Sequence, residues 1–224
     1  MRADRDGVLH RLSGRARLVN VAVVQGRLAA AGYACSADGV MGAMTYAALL
    51  GYAARRALGP LGQALGVAIE AGFPAYGIAG DLEMVHWIAQ AAHETEGFRF
   101  LTEQGGAAYF ARYDVGTPLG EALGNTRPGD GAAFIGRGLF QISGRWNYAH
   151  FGAAVGEPLL DNPALAAQPG IAVKLACAFW RERRIGASAE VDDCEAVTRL
   201  VNGGLGGLAD RQAATDRLKA LCGL

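Results

Sequence analysis

The middle of the chain constrains the fold more than any other feature, because about forty residues without helical periodicity lie between segments that have it. Residues 104–145 are rich in Gly, Pro, Asn and Asp, and they include Pro128-Gly129-Asp130-Gly131 and Gly136-Arg137-Gly138. A loop of this length inside a compact domain is usually functional or disordered. Apolar pieces at 134–135 and 139–142 favour a functional loop that contains short strands.

Helical periodicity occurs on both sides of this glycine-rich loop. Apolar residues recur at i, i+3, i+4 and i+7, with Gly or Asp at the ends of the segments. The pattern predicts helices at 18–30, 45–52, 81–97, 170–183, 192–202 and 208–221. The predicted fold class is therefore mainly α, with a small β element in the glycine-rich loop.

Charge is distributed unevenly along the 224 residues. Hydrophobic residues make up 51% of the chain, which is enough to build a core and excludes general disorder. Residues 1–60 have a net charge of +5 and the remainder has −5, with Gly59-Pro60 at the border. We therefore predict two modules, 1–60 and 61–224, the first facing an anionic partner such as nucleic acid or a cell envelope. The alternative is an ordinary solvated basic face.

The chain shows no signal for membrane insertion or secretion. No run of 18 apolar residues is free of charge, and charged residues are spread through residues 1–12. We expect synthesis in the cytoplasm and no stable membrane insertion. Four cysteines have no metal-ligand spacing and are predicted to be reduced; they are Cys35, Cys177, Cys194 and Cys222.

The end of the helix predicted at 81–97 carries a candidate general acid. Glu94 lies near Phe98 and Phe100, whose rings can exclude water, as suits a carboxyl that must donate a proton near neutral pH. Hydrolysis of a sugar linkage needs a second carboxylate. Glu103 and Asp114 are both candidates, and their spacing does not choose between them. The alternative for Glu94 is an ordinary solvated helix end.

Residues 136–148 combine glycines with amide, hydroxyl and aromatic side chains. Gln141 and Ser143 share one face if this segment is a strand. Trp146 and Tyr148 are the aromatic residues best placed to touch a ligand. These groups suit neutral, hydroxyl-rich ligands such as sugars, and the alternative is a polar strand edge.

A metal site is a weaker prediction. His86 and His93 are seven residues apart on one helical face, but no third ligand follows at a matching spacing. We therefore expect both to be core or hydrogen-bonded histidines. Trp87, Phe179 and Trp180 are predicted core residues.

Four motifs, taken in order, resemble those of the family 19 chitinases and of the lysozyme-like phage endolysins related to them. They are His93-Glu94-Thr95, Gly136-Arg137-Gly138 with Gln141, Ser143, Asn147 and Tyr148, then Val201-Asn202-Gly203-Gly204, and Asp210-Arg211. The resemblance covers roughly residues 61–224. It implies a lysozyme-like α domain that hydrolyses glycosidic bonds without a metal or organic cofactor.

The resemblance also implies roles for single residues. Glu94 would protonate the leaving oxygen, and Ser143 would help to hold the attacking water. Sugar contacts or support of the active-site network are implied for Gln141, Asn147, Asn202 and Arg211. The implied mechanism is inverting, with two carboxyls roughly 6.5–9.5 Å apart.

The second carboxylate departs from the family pattern. Asp114 stands where the family would have Glu, and its side chain is shorter. In the endolysin branch, the resemblance implies importance for a Glu nine residues after the acid, which here is Glu103. The order of preference is Glu94, Glu103, then Asp114, and at least one of the last two is expected to be structural.

The N-terminal module resembles the small helical peptidoglycan-binding domain of many wall hydrolases. The resemblance covers about residues 15–57, with Val24-Gln25-x-x-Leu28-x-x-x-Gly32-Tyr33 followed by Asp38-Gly39-Val40-x-Gly42-x-x-Thr45. It implies a three-helix module in which Tyr33, Asp38 and Gly39 contact the wall.

Together, the two resemblances imply an endolysin that hydrolyses β-1,4 bonds of peptidoglycan glycan strands and lyses the host wall. We expect a monomer without a nucleic acid partner, made in the host cytoplasm and acting on the wall in the periplasm after release. Three alternatives stay open. They are a chitinase acting on GlcNAc polymers, a wall-binding protein without catalysis, and a zinc amidase or peptidase that uses His86 and His93.

Overall fold

The computed structural model describes residues 19–224, and nearly all regular structure in this range is α-helical, which confirms the predicted fold class. The α-helices are α1 (Val21–Ala30), α2 (Ala43–Ala54), α3 (Gly59–Tyr76), α4 (Asp81–Glu94), α5 (Ala107–Phe110), α6 (Pro118–Ala122), α7 (Asp130–Ala133), α8 (Arg145–Val155), α9 (Pro169–Glu182), α10 (Ile185–Glu190), α11 (Cys194–Asn202) and α12 (Leu208–Cys222). Short 3₁₀ helices lie at Ala111–Tyr113 and Pro163–Ala167. Five of the eight arginines that make the N-terminal module basic lie outside the described residues.

The centre of the fold is α4, most of whose residues are buried, including the polar side chains of Glu83, His86 and Gln90. It packs against α2, α10, α11 and α12. Trp87, at its middle, meets Phe73 of α3 edge-on, with ring centroids 5.1 Å apart, and lies 5.5 Å from the ring of Phe140. Since Phe140 belongs to the glycine-rich loop, Trp87 joins the helical core to the segment that carries the polar motif.

The sequence does not predict α3, because its four glycines and two prolines ordinarily interrupt helices. Pro60 is in the first turn, where no intrahelical hydrogen bond is lost. Gly66 is required because α3 crosses α2 at short range, and a β-carbon at this position would lie 2.2 Å from the Ala43 carbonyl oxygen. Close helix packing therefore requires a glycine whose low helix propensity prevents the prediction of α3 from the sequence.

The β element of the glycine-rich loop is smaller than the sequence predicts. Instead of short strands, the described residues contain isolated β-bridges between Thr102 and Arg137 and between Arg137 and Ile142. Gly138 and Gln141 have φ angles of +84° and +50°, and this left-handed backbone interrupts extended pairing. Much of the rest of the loop forms the short helices α5, α6 and α7.

The Asp-Gly motif of the N-terminal module is organised by one buried amide. Gln25 is 1% exposed, and its Nε2 donates to Asp38 Oδ1 at 2.8 Å and to Thr45 Oγ1 at 2.9 Å. Its Oε1 accepts a hydrogen bond from the Gly39 amide at 2.8 Å. The motif residues therefore hold the loop between α1 and α2 in place.

The border predicted at residue 60 falls at the start of α3. Val24 and Leu28 of α1 belong to the same buried cluster as the cores of α4 and α12. Arg27 Nη1 donates to the Leu221 carbonyl at 2.7 Å. The described part of residues 1–60 thus shares a hydrophobic core with the rest of the chain.

All four cysteines are free thiols, as predicted, and three of them are buried. Burial raises the pKa of Cys222 to about 12. Among the described helices, none has the length and apolar character needed to span a bilayer.

Gly66→Ala is expected to lower the free energy of unfolding by about 1–3 kcal/mol, the usual cost of overpacking, because the new methyl group would press on the backbone of α2. Gly26→Ala is the matched control, since no atom lies within 4 Å of the new β-carbon on α1. It should raise stability by about 0.5–1 kcal/mol through helix propensity. Urea unfolding followed by circular dichroism measures both, and equal effects would contradict the packing argument.

Candidate active site

Glu94 is the last residue of α4, and its side chain is 16% exposed. Arg211 of α12 donates from Nη2 to Glu94 Oε1 at 2.5 Å. Arg211 is 1% exposed, so this ion pair is largely removed from water. A carboxylate at a mostly buried helix end is thereby held in one orientation by a charge from a distant segment.

Arg211 is fixed by further hydrogen bonds. Its Nη1 donates to Gln90 Oε1, and its Nε donates to the Gly206 carbonyl at 3.0 Å. Gln90 in turn donates to Thr198 Oγ1 at 3.3 Å. Because the Arg211 side chain is buried, it has no surface for direct contact with a sugar in this structure, and its contacts are with Glu94, Gln90 and the Gly206 carbonyl.

A second pair lies beside the first. His93 Nδ1 and Asp210 Oδ2 are 2.6 Å apart, and these residues directly precede Glu94 and Arg211 in the chain. A β-carbon at Gly207 would lie 2.1 Å from His93 Nε2, so a side chain at this position would clash with the His93 ring. The end of α4 and the start of α12 are therefore joined by two adjacent polar pairs.

The chain turns sharply directly after Glu94. Thr95 is buried, donates to the Ala91 carbonyl at 2.6 Å and accepts from the Phe98 amide at 2.9 Å. Glu96, Gly97 and Phe98 have φ angles of +49°, +69° and +62°. Two of them are not glycine, which marks a strained turn of the kind often found at functional sites.

Glu103, Gln141 and Ser143 converge on Gly136. A β-carbon at Gly136 would lie 2.8 Å from Gln141 Oε1 and 3.2 Å from both Glu103 Oε2 and Ser143 Oγ. The Gly136 amide donates to Glu103 Oε2 at 2.9 Å, and the Glu103 amide donates to the Gly136 carbonyl at 2.8 Å. The structure thus brings together three of the residues predicted from the sequence.

Tyr113 contacts the candidate base Glu103, although the sequence motifs do not point to it. Its hydroxyl donates to Glu103 Oε1 at 3.0 Å and accepts from Arg112 Nη2 at 2.6 Å. Partial burial raises the pKa of Tyr113 to about 12, so it stays a hydrogen-bond donor at neutral pH. The Arg112 guanidinium also lies 3.7 Å from the centre of the Tyr109 ring. The only signal in the sequence is the helical spacing of positions 109, 112 and 113.

Asp114 has its carboxylate occupied by backbone donors. The Gly129 amide lies 2.9 Å from both of its oxygens, and the amides of Val115 and Gly131 donate to Oδ1 at 3.0 and 3.4 Å. The hydrogen bond from Gly129, followed by those from Val115 and Gly131, holds the pKa of Asp114 below its ordinary value of 3.8. This geometry gives Asp114 a structural role in closing the loop before α7.

Tyr148 corrects another prediction. It is fully buried, and its hydroxyl donates to the Ile135 carbonyl at 2.7 Å and accepts from Arg137 Nη1 at 2.8 Å. Its side chain therefore offers no exposed surface to a substrate in this structure, and its hydrogen bonds support the backbone of the 135–137 segment. Trp146, by contrast, is 57% exposed and stacks on His150 with ring centroids 4.7 Å apart.

The remaining polar residues of the motif are held by the backbone. Asn147 donates to the Ser143 carbonyl at 2.7 Å, and Ser143 Oγ donates to the Gln141 carbonyl at 3.2 Å. Asn202 is exposed at the end of α11, where its Oδ1 would lie 3.0 Å from a β-carbon at Gly206. Asn202 is thus near the loop whose carbonyl accepts from Arg211.

The two histidines considered as metal ligands have separate partners. His86 Nε2 lies 2.9 Å from Asp192 Oδ1, in a different pair from that of His93. Burial lowers the pKa of His86. Within residues 19–224, no group of three or more His, Cys, Asp or Glu side chains is arranged to hold a metal ion.

The family model for class I chitinases matches residues 62–215. The chain belongs to glycoside hydrolase family 19. A family 19 domain-containing protein of Haemophilus influenzae is 30% identical to it over 169 residues, which cover 64% of this chain and 82% of that protein. The basic 30 kDa endochitinase of Solanum lycopersicum is 33% identical over 127 residues, covering 48% of this chain and 37% of the tomato protein.

The fold of this family 19 hydrolase is similar to that of solved chitinases. Chitinase C from Streptomyces griseus aligns with a TM-score of 0.58 and 26% identity, covering 72% of this chain and 83% of the bacterial enzyme. A class IV chitinase from Zea mays aligns with a TM-score of 0.53. The expected lysozyme-like fold is confirmed, and the chain is a glycoside hydrolase.

Asp114→Asn is expected to lower the melting temperature at pH 7. Because the folded-state pKa of Asp114 lies below 3.8, its charged form stabilises the fold above that pH, and the contribution is lost as the pH falls further. The difference in melting temperature between variant and wild type should therefore shrink below about pH 4. Circular dichroism melts across this range test the prediction, and a pH-independent difference would contradict it.

Proposed function

We propose that this family 19 hydrolase cuts β-1,4 glycosidic bonds in the glycan strands of bacterial peptidoglycan, as a muramidase-type endolysin. The convergence of Glu103, Gln141 and Ser143 on Gly136, together with the ion-paired Glu94 at the end of α4, carries the proposal. A carboxylate pair with amide and hydroxyl groups supplies what hydrolysis of a sugar linkage requires.

In this proposal, Glu94 is the general acid. Within the described residues, Arg211 contacts only Oε1, which leaves Oε2 to donate a proton to the leaving glycosidic oxygen. As the proton leaves, the Arg211 guanidinium stabilises the carboxylate that forms.

Glu103 is the proposed base. The Tyr113 hydroxyl and the Gly136 amide each donate to a different one of its oxygens, which orients the carboxylate and leaves lone pairs to accept a proton from water. Ser143 Oγ and the Gln141 amide are close enough to the same point to hold that water. This water attacks the anomeric carbon from the face of the sugar ring opposite to Glu94, which inverts the configuration. Such a mechanism needs the two carboxyls to be roughly 6.5–9.5 Å apart.

The remaining predicted contacts complete the proposed binding surface. Trp146 offers an exposed ring for sugar stacking, and Asn147 and Asn202 offer amide groups. No step in this mechanism calls for a metal or organic cofactor.

Peptidoglycan is preferred as the substrate because of the N-terminal module. Tyr33 lines a cavity of about 220 Å³ between the end of α1, α2 and α3, near the loop that Gln25 holds through Asp38 and Gly39. We propose that this region contacts the wall. Deletion of residues 1–57 is a poor test of that role, because it would remove part of the shared core.

The proposed biological role is lysis of a bacterial host wall by a monomer. The enzyme would be made in the host cytoplasm and reach the wall through the periplasm after a separate protein permeabilises the membrane. No contact with nucleic acid is part of this role.

Glu94→Gln is expected to reduce turnover on purified peptidoglycan by roughly 10²–10⁴-fold, since the amide cannot donate the proton. Turbidity loss of a wall suspension measures the rate. Circular dichroism and cosedimentation with intact wall serve as controls, because fold and wall binding should persist. Full lytic activity in this variant would remove the acid role, whereas wall binding without lysis by the wild type would favour the non-catalytic alternative.

Glu103→Gln and Asp114→Asn form a matched pair, because each exchanges one carboxylate for an amide. The first should lower kcat by roughly 10²–10⁴-fold, and the second by less than about tenfold, since only Glu103 faces Gln141 and Ser143. Initial rates on soluble glycan strands, at a temperature where both variants are folded, provide the comparison. The reverse ranking would make Asp114 the base.

Chitin is the second candidate substrate, favoured by the matched endochitinases of plants. Mass spectrometry of digested peptidoglycan and of GlcNAc oligomers shows which polymer is cut and which sugar carries the new reducing end. If only the GlcNAc oligomers are cleaved, the proposed substrate is chitin and not peptidoglycan. Loss of activity in a chelator would instead favour the zinc amidase or peptidase.

A further inference from the structure

A surface cavity of about 310 Å³ lies at the carboxyl end of α4. Its walls come from the end of α2, the turn at 96–99 and residues 210–217 of α12. Its charged lining residues are Arg55, His93, Glu96, Arg99, Asp210 and Arg217. We call it the arginine cavity.

The three guanidinium groups of the arginine cavity have no carboxylate partner within residues 19–224. The Nε of Arg217 is buried without a hydrogen-bond partner, and its Nη2 lies 3.5 Å from the Ala53 carbonyl oxygen. Asp210 is already engaged by His93 at 2.6 Å. Glu96 is thus the remaining carboxylate of the cavity, set against three unpaired cations.

This imbalance favours an anionic ligand. A guanidinium presents a planar fork of donors that matches the two oxygens of a carboxylate. Arg55 and Arg99 are exposed, and their guanidinium groups are available to bind a ligand. Arg217 adds an N–H donor, its buried Nε, at the base of the cavity. The chemistry therefore suits a carboxylate group on a flexible chain.

The cavity also lies at the same end of α4 as the proposed general acid. His93 lines it, and Glu94 is the following residue of α4. A glycan that reaches Glu94 would bring its substituents close to the arginine cavity. Peptidoglycan strands carry peptide stems with free carboxylates, whereas chitin is uncharged.

We infer that the arginine cavity binds a carboxylate of the peptide stem and thereby selects peptidoglycan strands over chitin. This inference rests on the proposed function, since it requires that the glycan at Glu94 carry peptide stems. Surface charges are screened by salt, so the selection should be strongest at low ionic strength.

The test compares three substrates: soluble uncrosslinked glycan strands with native stems, the same strands with carbodiimide-amidated stem carboxylates, and a GlcNAc hexamer. For wild-type enzyme at low salt, kcat/KM should fall about tenfold when the stems are amidated. For the double variant Arg55→Gln/Arg99→Gln, kcat/KM on native strands should fall by about the same factor. The ratio of its kcat/KM on native strands to that on amidated strands should therefore approach one. Arg217→Lys, which keeps the charge, should retain most of the preference.

Arg181→Gln is the matched control. This exposed arginine lies over Tyr76 in another cavity, which also contains Glu83 near the opposite end of α4. Ten residues of helix, about 15 Å, separate positions 83 and 93. The control variant should keep the wild-type preference for native strands.

Equal wild-type rates on native and amidated strands would overturn the inference and leave the proposed function intact. An equal loss of kcat/KM by the double variant on all three substrates would also overturn the inference and leave the proposed function intact. Cleavage of the hexamer without any cleavage of peptidoglycan strands would overturn the proposed function, and the inference with it.

Discussion

The buried guanidinium of Arg211 is the interaction on which the arrangement of the active site depends. A charge withdrawn from water is costly unless it is paired and hydrogen-bonded, and Arg211 meets this demand with Glu94, Gln90 and the Gly206 carbonyl. The pairing joins the start of α12 to the end of α4. The ion pair that offsets the cost of burying the Arg211 charge therefore also fixes the orientation of the proposed acid, Glu94.

Two glycines permit this arrangement because they have no β-carbon. Gly207 leaves room for the His93 ring, which pairs with Asp210 beside the Glu94 and Arg211 pair. Gly136 lets three polar side chains approach a single point of the backbone. In a chain with 33 glycines, these positions show that many glycines serve close approach rather than flexibility.

The two carboxylates of the glycine-rich region have opposite tasks. Glu103 accepts one hydrogen bond at each oxygen from Tyr113 and Gly136, next to amide and hydroxyl side chains. Asp114 accepts only from backbone amides and holds the loop that precedes α7. The environment, rather than the residue type, distinguishes the carboxylate proposed as the base from the one that holds the loop.

The sequence alone determined the mainly helical class, the helices with uninterrupted apolar periodicity and the motifs around Glu94 and Gln141, because these depend on neighbours within a few turns of the chain. Only the tertiary structure decided that Tyr148 and Arg211 are buried, that backbone amides bind Asp114 and that Tyr113 donates to Glu103. It also revealed α3, whose Gly66 has a reason only in the presence of α2. Burial and hydrogen-bond saturation are set by residues far apart in the chain, such as positions 94 and 211, and local patterns carry no record of such distant partners.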